Sequence, residues 1–299
     1  MITVFGSINM DLIATTQRLP KPGETVAGNG FSTAAGGKGA NQALAARRAG
    51  CSVHMAGAVG HDGFADDALA LLKAAGTELD AVKRADEPTG TAIILVGGDG
   101  ENMIAVVPGA NGTVTAADAD KAVGGMSRGD TLMLQLEVPA AAVEQALSAA
   151  RAKGVTTILN LAPLIDDAAR LGRLADIVIA NETEFERLAG QENMMAEERE
   201  AALKRLNSET GQTLIVTLGG DGVVAIRDGV ISRAKGLKIE PVDTVGAGDT
   251  FCGYFAASLD EGLAFEPALR RAAVAGSLAC LKQGAQPSIP LRDEVANKL

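Results

Sequence analysis

Residues 243–251 read Asp-Thr-Val-Gly-Ala-Gly-Asp-Thr-Phe, a glycine-rich turn that leads into an apolar helix. Because the residues at 246–248 have small side chains or none, their backbone N–H groups are open to a phosphate at the helix N-terminus, where the helix dipole favours negative charge. A carboxylate at Asp249 would repel a bound phosphate, so it fits better as a general base that accepts a proton from an attacking hydroxyl group. The segment alone leaves open a second interpretation, in which Asp249 or Thr250 only caps the helix.

A second glycine-rich segment, Gly-Gly-Lys-Gly-Ala-Asn at residues 36–41, precedes a predicted helix over Gln42–Ala49. It places a cation and a carboxamide among glycines, where a polyhydroxylated ligand can approach the backbone closely. The segment is not a Walker A loop, because Ser32 stands where that loop has its first glycine and Lys38 is followed by glycine rather than Ser or Thr. The turn at residues 246–248 is not a Rossmann fingerprint either, because Phe251 stands where the third glycine should be.

The composition favours a protein that binds small molecules. The 299 residues carry a net charge of −10, which would repel nucleic acid and anionic lipid. The absence of Trp and the single Tyr leave few side chains that could stack on bases. No apolar run is long enough to span a membrane and there is no basic leader, so we expect a cytoplasmic protein. The cysteines form no Cys-x-x-Cys pair and are expected to be reduced: Cys51, Cys252 and Cys280.

Apolar runs of strand length alternate with helical stretches along most of the chain. The predicted strands are Ile2–Gly6, Val53–Val59, Thr131–Leu136, Thr156–Leu161, Asp176–Ala180, Thr213–Leu218 and Gly222–Arg227. Helices are predicted over Ala65–Ala75 and Pro139–Lys153, each followed by a glycine. The alternation predicts an α/β fold with a doubly wound, mostly parallel sheet that has helices on both faces.

Polar residues follow the ends of several predicted strands. Ligands of doubly wound sheets bind at the carboxyl ends of the strands, so we expect these side chains to meet in one site. They are Asn9, Asp11, Glu137, Asn160, Asn181, Thr217 and Gly219.

Further motifs are Gly-Ser-Ile-Asn-Met-Asp at residues 6–11, Gln-Leu-Glu at 135–137, Asn-Glu-Thr-Glu at 181–184 and Gly-Ala-Gln-Pro-Ser at 284–288. With the two glycine-rich segments, they resemble the ribokinase family of carbohydrate kinases over essentially the whole chain. The resemblance implies a ribokinase-like fold and ATP-dependent phosphorylation of the 5-hydroxyl of D-ribose. Alternative acceptors are 2-deoxyribose, a nucleoside or another small sugar. A catalytically silent sugar-binding regulator is the alternative from a different class, and a dehydrogenase is disfavoured because the dinucleotide fingerprint is absent.

The resemblance also assigns roles to individual residues. The sugar would be bound by Asn9, Asp11, Gly37, Lys38, Asn41, Glu137 and Asp249. Asp249 would act as the base, and the transferred phosphate would lie against Gly246, Ala247 and Gly248. ATP would contact Asn181, Thr217, Gly219, Gly220, Gly222 and Gly248, and Glu184 would serve a magnesium ion through water. Ala273 stands where some family members have a larger side chain, which predicts weaker contacts to adenine.

A potassium ion next to the phosphate site is implied in the same way. Its ligands would be the carboxylate of Asp243, the hydroxyl of Ser288, and backbone oxygens of Val245, Ala279, Lys282 and Gly284. Simpler roles remain open for several site residues: a solvated loop carboxylate at Asp11 and Glu137, a surface cation at Lys38, a helix cap at Asn181, a helix-face charge at Glu184 and a turn cap at Asp243.

Two segments, residues 11–33 and 89–108, depart from the alternation and indicate short strands without crossover helices, the second of them a hairpin. We expect them to form a small β-sheet lid over the sugar site, within a single domain that spans residues 1–299. One thin sheet cannot bury its apolar side chains on both faces, which predicts a homodimer through the lid. A surface hairpin without a function is the alternative. The apolar side chains are Ile93, Ile94, Leu95, Met103, Ile104 and Val106.

Overall fold

The computed structural model describes all 299 residues and contains two β-sheets. The strands are β1 (Ile2–Phe5), β2 (Asn9–Thr16), β3 (Gly28–Gly36), β4 (Val53–Gly60), β5 (Glu78–Ala85), β6 (Gly90–Val96), β7 (Asn102–Val107), β8 (Thr131–Leu134), β9 (Thr156–Asn160), β10 (Ile177–Asn181), β11 (Thr213–Thr217), β12 (Val223–Arg227) and β13 (Val230–Ala234). The helices are α1 (Lys38–Arg48), α2 (Gly63–Ala75), α3 (Ala116–Gly124), α4 (Ala140–Lys153), α5 (Ala168–Gly172), α6 (Glu182–Ala189), α7 (Ala196–Thr210), α8 (Ala247–Asp260), α9 (Phe265–Ala279), α10 (Ala285–Ser288) and α11 (Arg292–Ala296).

Nine strands form the large sheet, in the order β13-β12-β11-β10-β9-β8-β1-β4-β5. All neighbours are parallel except at β12 and β13, which pair antiparallel. The central strands are continuous apolar runs because helices cover both faces, and every residue of β1 and β8 is buried. The predicted α/β class is confirmed. Since parallel strands end at the same edge, the residues that follow β1, β8, β9, β10 and β11 lie along one edge of the sheet.

Each face of the large sheet has its own apolar core. One core holds 38 buried residues and includes side chains of α1, α2, α8 and α9. The other holds 35 buried residues and includes side chains of α3, α4, α6 and α7. Helices from the two ends of the chain therefore share one face, and the glycine-rich segments at the starts of α1 and α8 lie side by side. None of the helices is long and apolar enough to cross a membrane.

Some elements differ from the prediction. Helix α1 begins at Lys38 rather than Gln42, because the carboxylate of Glu137 accepts a hydrogen bond from the Lys38 backbone N–H. Strand β8 ends at Leu134, so Glu137 lies beyond the strand instead of at its end. Strands β5 and β13 are missing from the prediction, since both lie at edges of the sheet and have no continuous apolar run.

The small sheet has the strand order β3-β2-β6-β7. Strand β2 pairs antiparallel with β3 and parallel with β6, and β6 and β7 form the predicted hairpin. The sheet extends beyond the segments expected from the sequence, because β2 already begins at Asn9 and β3 continues to Gly36. Asn9 and Asp11 therefore belong to a strand of the small sheet rather than to a loop.

Large apolar side chains are exposed on both faces of the small sheet. The strand register puts Ile104 and Val106 on the face that carries Asp11, and it puts Ile93 and Met103 on the opposite face. All four side chains are about half exposed. The single chain therefore leaves apolar surface of this sheet uncovered.

Candidate active site

Asp249 lies in the first turn of α8, behind the predicted glycine-rich turn. The turn requires glycine at Gly246, whose φ of 78° is left-handed and whose Cβ would lie 2.9 Å from the Cα of Ala285. By contrast, a Cβ at Gly248 would meet no protein atom within 4 Å. Gly248 lines a cavity, so the N-terminus of α8 borders space that an anion can enter.

Both carboxylate oxygens of Asp249 accept hydrogen bonds from side chains of α1. Asn41 Nδ2 donates to Oδ2 over 2.9 Å, and Gln42 Nε2 donates to Oδ1 over 3.0 Å. No side chain makes a capping hydrogen bond to the N-terminus of α8, so neither Asp249 nor Thr250 caps the helix. The Thr250 hydroxyl has no hydrogen-bond partner at all. The capping interpretation is therefore wrong. The carboxylate is only 7% exposed and has a fixed orientation.

The distance between α1 and α8 is set by a glycine one helical turn after Asp249. A Cβ at Gly253 would lie 2.5 Å from the Cβ of Ala45 and 2.6 Å from the carbonyl oxygen of Gln42. The two helices can therefore approach this closely only because position 253 has no side chain. This close packing brings Asn41 and Gln42 within hydrogen-bond distance of Asp249.

Glu137 is half-buried against the start of α1, where its carboxylate is hydrogen-bonded, so it is not a solvated loop carboxylate. Its Oε2 accepts hydrogen bonds from the Ser7 hydroxyl over 2.5 Å and from the Lys38 backbone N–H over 3.0 Å. A negative charge at a helix N-terminus is stabilised by the unpaired N–H groups and the helix dipole. Ser7 has no role in the sequence prediction, although it lies in the quoted motif at residues 6–11.

Asp11 and Lys38 lie within a cluster of charges. Burial, followed by the charges of Glu137 and Asp249, raises the pKa of Asp11 to about 6, although the ammonium of Lys38 opposes the shift. The carboxylate of Asp249, and then those of Glu137 and Glu184, raises the pKa of Lys38 against the opposing effect of burial. Asp11 lies in strand β2 and Lys38 in helix α1, and both are only partly exposed, which contradicts the solvated-loop and surface-cation alternatives. The cluster joins the small sheet and the segment after β8 with α1 and α8.

The close approach of Asp11 to the glycine-rich loop depends on Gly36. A Cβ at Gly36 would lie 2.5 Å from both carboxylate oxygens of Asp11. The next residue, Gly37, has a left-handed φ of 88°, and its Cβ would lie 2.8 Å from the backbone nitrogen of Asn9. The pair of glycines therefore lets the loop lie directly against β2, which carries two predicted sugar-binding residues.

The Asn9 side chain is buried and held by Asn111, a residue that the sequence analysis does not single out. Asn111 Nδ2 donates to Asn9 Oδ1 over 2.7 Å, while Asn111 Oδ1 accepts from the backbone N–H of Ile8. The acceptor end of the Asn9 amide is thus occupied, which leaves its N–H₂ group as the end that can donate to a ligand. Asn111 follows β7 in a short 3-10 helix, and nothing in the local sequence marks it.

A cavity of about 390 Å³ lies next to the N-terminus of α8. It is lined by small and apolar residues, which suits a nucleotide that lies along the backbone. Four predicted ATP contacts line it together with Gly248, and Ala273 lies on its wall as expected. The four are Thr217, Gly219, Gly220 and Gly222.

A larger open cavity of about 1030 Å³ lies elsewhere, at the base of the small sheet. None of the predicted site residues lines it, and its lining includes the acidic residues Asp62, Asp67 and Glu87. Three carboxylates repel a triphosphate. The smaller cavity next to Asp249 is therefore the better nucleotide site.

Asn181 and Glu184 form a reciprocal cap at the start of α6. Asn181 Oδ1 accepts from the Glu184 backbone N–H, and Glu184 Oε2 accepts from the Asn181 backbone N–H, both over 2.8 Å. Asn181 is thus a helix cap. Burial raises the pKa of Glu184, and the charges of Lys38 and Asp249 also act on it, which places this carboxylate near the charge cluster. Roles of both residues toward ATP and magnesium stay predictions.

The residues predicted to hold potassium lie in two segments that meet next to the α8 turn: the loop that contains Asp243 and Val245, and the stretch from the end of α9 through α10. The Cys280 carbonyl accepts from the backbone N–H groups of Val242 and Asp243. The Asp243 carboxylate accepts from the N–H groups of Val245 and Gly284, so it is a turn cap as well. No group of three or more His, Cys, Asp or Glu side chains that could hold a metal ion lies here, and the Ser288 hydroxyl donates to the carbonyl oxygen of Ala285 over 2.7 Å. The predicted potassium ligands are all oxygens, a set that fits an alkali-metal cation better than a transition metal, and their role stays a prediction.

Comparison with known proteins gives matches over the whole chain. A family model described as pfkB family carbohydrate kinase matches residues 1–292. The chain is 37% identical over 298 residues to a ribokinase of Haemophilus influenzae, covering 98% of this chain and 96% of the relative. A ribokinase structure from Thermotoga maritima is similar with a TM-score of 0.88 at 30% identity, covering 99% of this chain and 98% of that one. The Arabidopsis thaliana ribokinase complexed with ribose and ATP gives a TM-score of 0.88 at 32% identity, covering 99% and 97%.

Proposed function

The chain belongs to the pfkB family of carbohydrate kinases, and from this premise we propose that it transfers the γ-phosphoryl group of ATP to the 5-hydroxyl of D-ribose. The products are D-ribose 5-phosphate and ADP. One observation carries the proposal: the buried Asp249 carboxylate is held by Asn41 of α1, is close enough to Asp11 and Lys38 for their charges to interact, and directly follows Gly248, which lines the smaller cavity. A sugar bound next to Asp11 and Lys38 and a nucleotide bound in this cavity would meet at this carboxylate.

The sugar hydroxyls are recognised by polar groups of β2, of α1 and of the segment after β8. Asp11 and Glu137 supply acceptors, and Asn9 and the Lys38 ammonium supply donors. The Oδ1 atom of Asn41 is buried and has no partner in the protein, which supports a hydrogen bond from a sugar hydroxyl. A sugar that lacks a matching hydroxyl would leave these polar groups unpaired, which is a source of specificity.

Asp249 accepts the proton of the sugar 5-hydroxyl while the oxygen of that hydroxyl attacks the γ-phosphorus. A bond then forms between the sugar oxygen and phosphorus, and the bond between phosphorus and the bridging oxygen of ADP breaks. The N–H groups of Gly246 and Gly248 would face the developing charge on the phosphoryl group, whereas the Ala247 N–H already donates to the carbonyl oxygen of Thr244 over 3.3 Å. The absence of a side chain at Gly248 supports a close approach of the phosphate to the backbone.

Two cations fit the residues present. Glu184 would hold a magnesium ion through water, and its Oε1 atom takes no part in the α6 cap. Magnesium supplies positive charge to the phosphate oxygens when it is bound with ATP. The Asp243 carboxylate and the Ser288 hydroxyl would hold potassium at the junction of the Asp243 loop with the stretch from α9 to α10, with backbone oxygens of Val245, Ala279, Lys282 and Gly284. Because a Cβ at Gly246 would touch Ala285, this junction packs directly against the turn that holds the phosphate.

We also propose that the enzyme is a homodimer and acts in the cytoplasm, as one domain with the small sheet as a lid over the sugar. Apolar side chains exposed on both faces of the small sheet support pairing with a second copy. The three cysteines are free, which supports a reducing compartment.

An ADP-release assay tests the proposal against its alternatives. We expect release with D-ribose, and a preference for 2-deoxyribose or a nucleoside would change the assigned acceptor but not the chemistry. A silent sugar-binding regulator would release no ADP with any acceptor. Asp249→Asn keeps the shape of the side chain but removes the proton acceptor, so kcat should fall by about two to four orders of magnitude. Near-native turnover of this variant would remove Asp249 from the mechanism.

A further inference from the structure

Gln42 is completely buried between three other polar side chains and takes no part in the sugar or nucleotide contacts described above. Its Nε2 atom donates to Asp249 Oδ1 over 3.0 Å and to Asn160 Oδ1 over 3.2 Å. Its Oε1 atom accepts from Gln135 Nε2 over 2.7 Å. One side chain thus links the proposed base to strand β9, through Asn160, and to the residue directly after β8, Gln135.

The direction of these hydrogen bonds is fixed from both ends. Asn160 Nδ2 donates to the carbonyl oxygen of Ile179, which can only accept, so Asn160 must turn its own oxygen toward Gln42. The ionised carboxylate of Asp249 can also only accept. Both neighbours therefore require the N–H₂ group of Gln42, and its carbonyl oxygen must face Gln135.

Gln135 completes the network but leaves its own carbonyl oxygen without a hydrogen bond. Its Nε2 atom is needed by Gln42, and its Oε1 atom is buried without a partner. A Cβ at Gly6 would collide with that oxygen, so the glycine leaves room for this orientation. A buried polar atom without a partner disfavours folding, which argues that the arrangement serves something other than stability.

We propose that Gln42, oriented by Gln135, is a positioning residue for the proton acceptor of the reaction. This inference rests on the proposed function, because it concerns the base assigned there. Gln42 donates one of the two amide hydrogen bonds that hold the Asp249 carboxylate, and it stabilises the ionised form. Asn41 donates the other and also faces the sugar, whereas Gln42 is screened from both substrates and acts through Asp249 alone.

The first test replaces Gln42 with methionine, which has a similar length but no donor. We expect kcat to fall about tenfold to a hundredfold, since the carboxylate is less well oriented. We also expect the acid limb of the pH profile of kcat to move to higher pH, because a carboxylate that loses a donor holds its proton more tightly. The KM for ATP should stay within about twofold.

A matched control is Gln145→Met, because Gln145 Nε2 also donates to an aspartate, Asp120, over 2.7 Å but lies on α4 away from the site. It should leave kcat and the pH profile unchanged. Thermal unfolding of both variants checks that the fold is retained. An unchanged acid limb in folded Gln42→Met would overturn the positioning role, because a purely structural role has no reason to move it.

A second pair of variants tests the orientation without touching Gln42. Gln135→Met removes the donor to Gln42 Oε1, and an ionised Gln135→Glu can accept from Gln42 Nε2, which would turn the Gln42 carbonyl toward Asp249. We expect kcat to decrease in the order wild type, Gln135→Met, Gln135→Glu. Equal kcat in folded forms of all three would overturn the inference. If these variants are inert while Asp249→Asn is inactive, only the positioning role fails; if Asp249→Asn is active, the proposed base fails.

Discussion

At the scale of single residues, Asp11 shows how the site opposes the stability of the fold. Its pKa is about 6 in the folded protein against 3.8 for the ordinary group, so its ionisation disfavours the folded state. This destabilisation is absent below about pH 4, grows as the pH rises toward 6, and is fully present above that. A neutral side chain of the same shape would avoid it.

We therefore expect Asp11→Asn to unfold at a higher temperature than the wild type at pH 8, by on the order of a few degrees. The difference should shrink as the pH falls toward 4. Thermal unfolding without sugar at several pH values measures it, with the exposed Asp67→Asn as the control. The KM for the sugar should rise at the same time, because an acceptor is lost. Identical unfolding temperatures at pH 8 would contradict the raised pKa.

Gly248 permits a second test at this scale. A methyl group there meets no protein atom within 4 Å, so Gly248→Ala should fold at least as stably as the wild type. The methyl group would occupy the space of the phosphate, so kcat/KM for ATP should fall by about tenfold or more. Gly124→Ala in α3 is the control, since a Cβ there also meets open space. Unchanged ATP kinetics in Gly248→Ala would mean that the phosphate does not lie against this turn.

The sequence predicts individual site residues where a motif is local and fails where the contact is distant. Asp249 and its glycine turn are recognisable because the glycines that shape the turn and the carboxylate lie within one short segment. Gln42 directly follows a recognisable motif, but its hydrogen bond to Asp249 spans 207 positions and cannot be predicted from either segment alone. Asn111 contacts Asn9 across 102 positions and has no motif of its own. When the fold brings together two residues that are distant in the chain, the sequence around each of them does not indicate the hydrogen bond between them.

At the scale of elements, the decisive contact is between the two segments next to α8 and the turn that begins it. If Asp243 and Ser288 hold potassium, activity should rise when potassium replaces sodium at constant ionic strength. Asp243→Ala should remove that difference and lower basal activity, since it also breaks the bonds to Val245 and Gly284. Steady-state kinetics in both salts decides the matter. An unmodified enzyme that is indifferent to potassium would count against the site.

Element boundaries follow from the sequence where a nearby residue sets them. Helices α2 and α4 end at Gly76 and Gly154 as predicted, because a left-handed glycine stops each of them. The start of α1 depends on Glu137, which is 99 positions away from Lys38 in the chain, so no local rule finds it. The edge strands β5 and β13 have a mixture of polar and apolar side chains, and such a mixture is equally typical of a loop.

At the scale of the whole molecule, the uncovered small sheet predicts a homodimer. We expect the wild type to be a dimer at micromolar concentration and Ile104→Glu to be a monomer with a raised KM for the sugar, because Ile104 is 53% exposed on the face of Asp11. Val230→Glu is the control, since Val230 is 62% exposed on the far edge of the large sheet. Light scattering measures the mass of each. A monomeric wild type would mean that the apolar surface is covered in another way.

The shared core of α1 and α8 has a consequence for the order in which the protein is made. During synthesis α1 emerges early. Its apolar side stays uncovered until α8 and α9, which come from the last part of the chain, have been made. The hydrogen bond between Asn41 and Asp249 spans 208 positions, so it forms only after nearly the whole chain has left the ribosome. Nascent chains should therefore be inactive and expose an apolar face that chaperones recognise, and activity should appear in one late step.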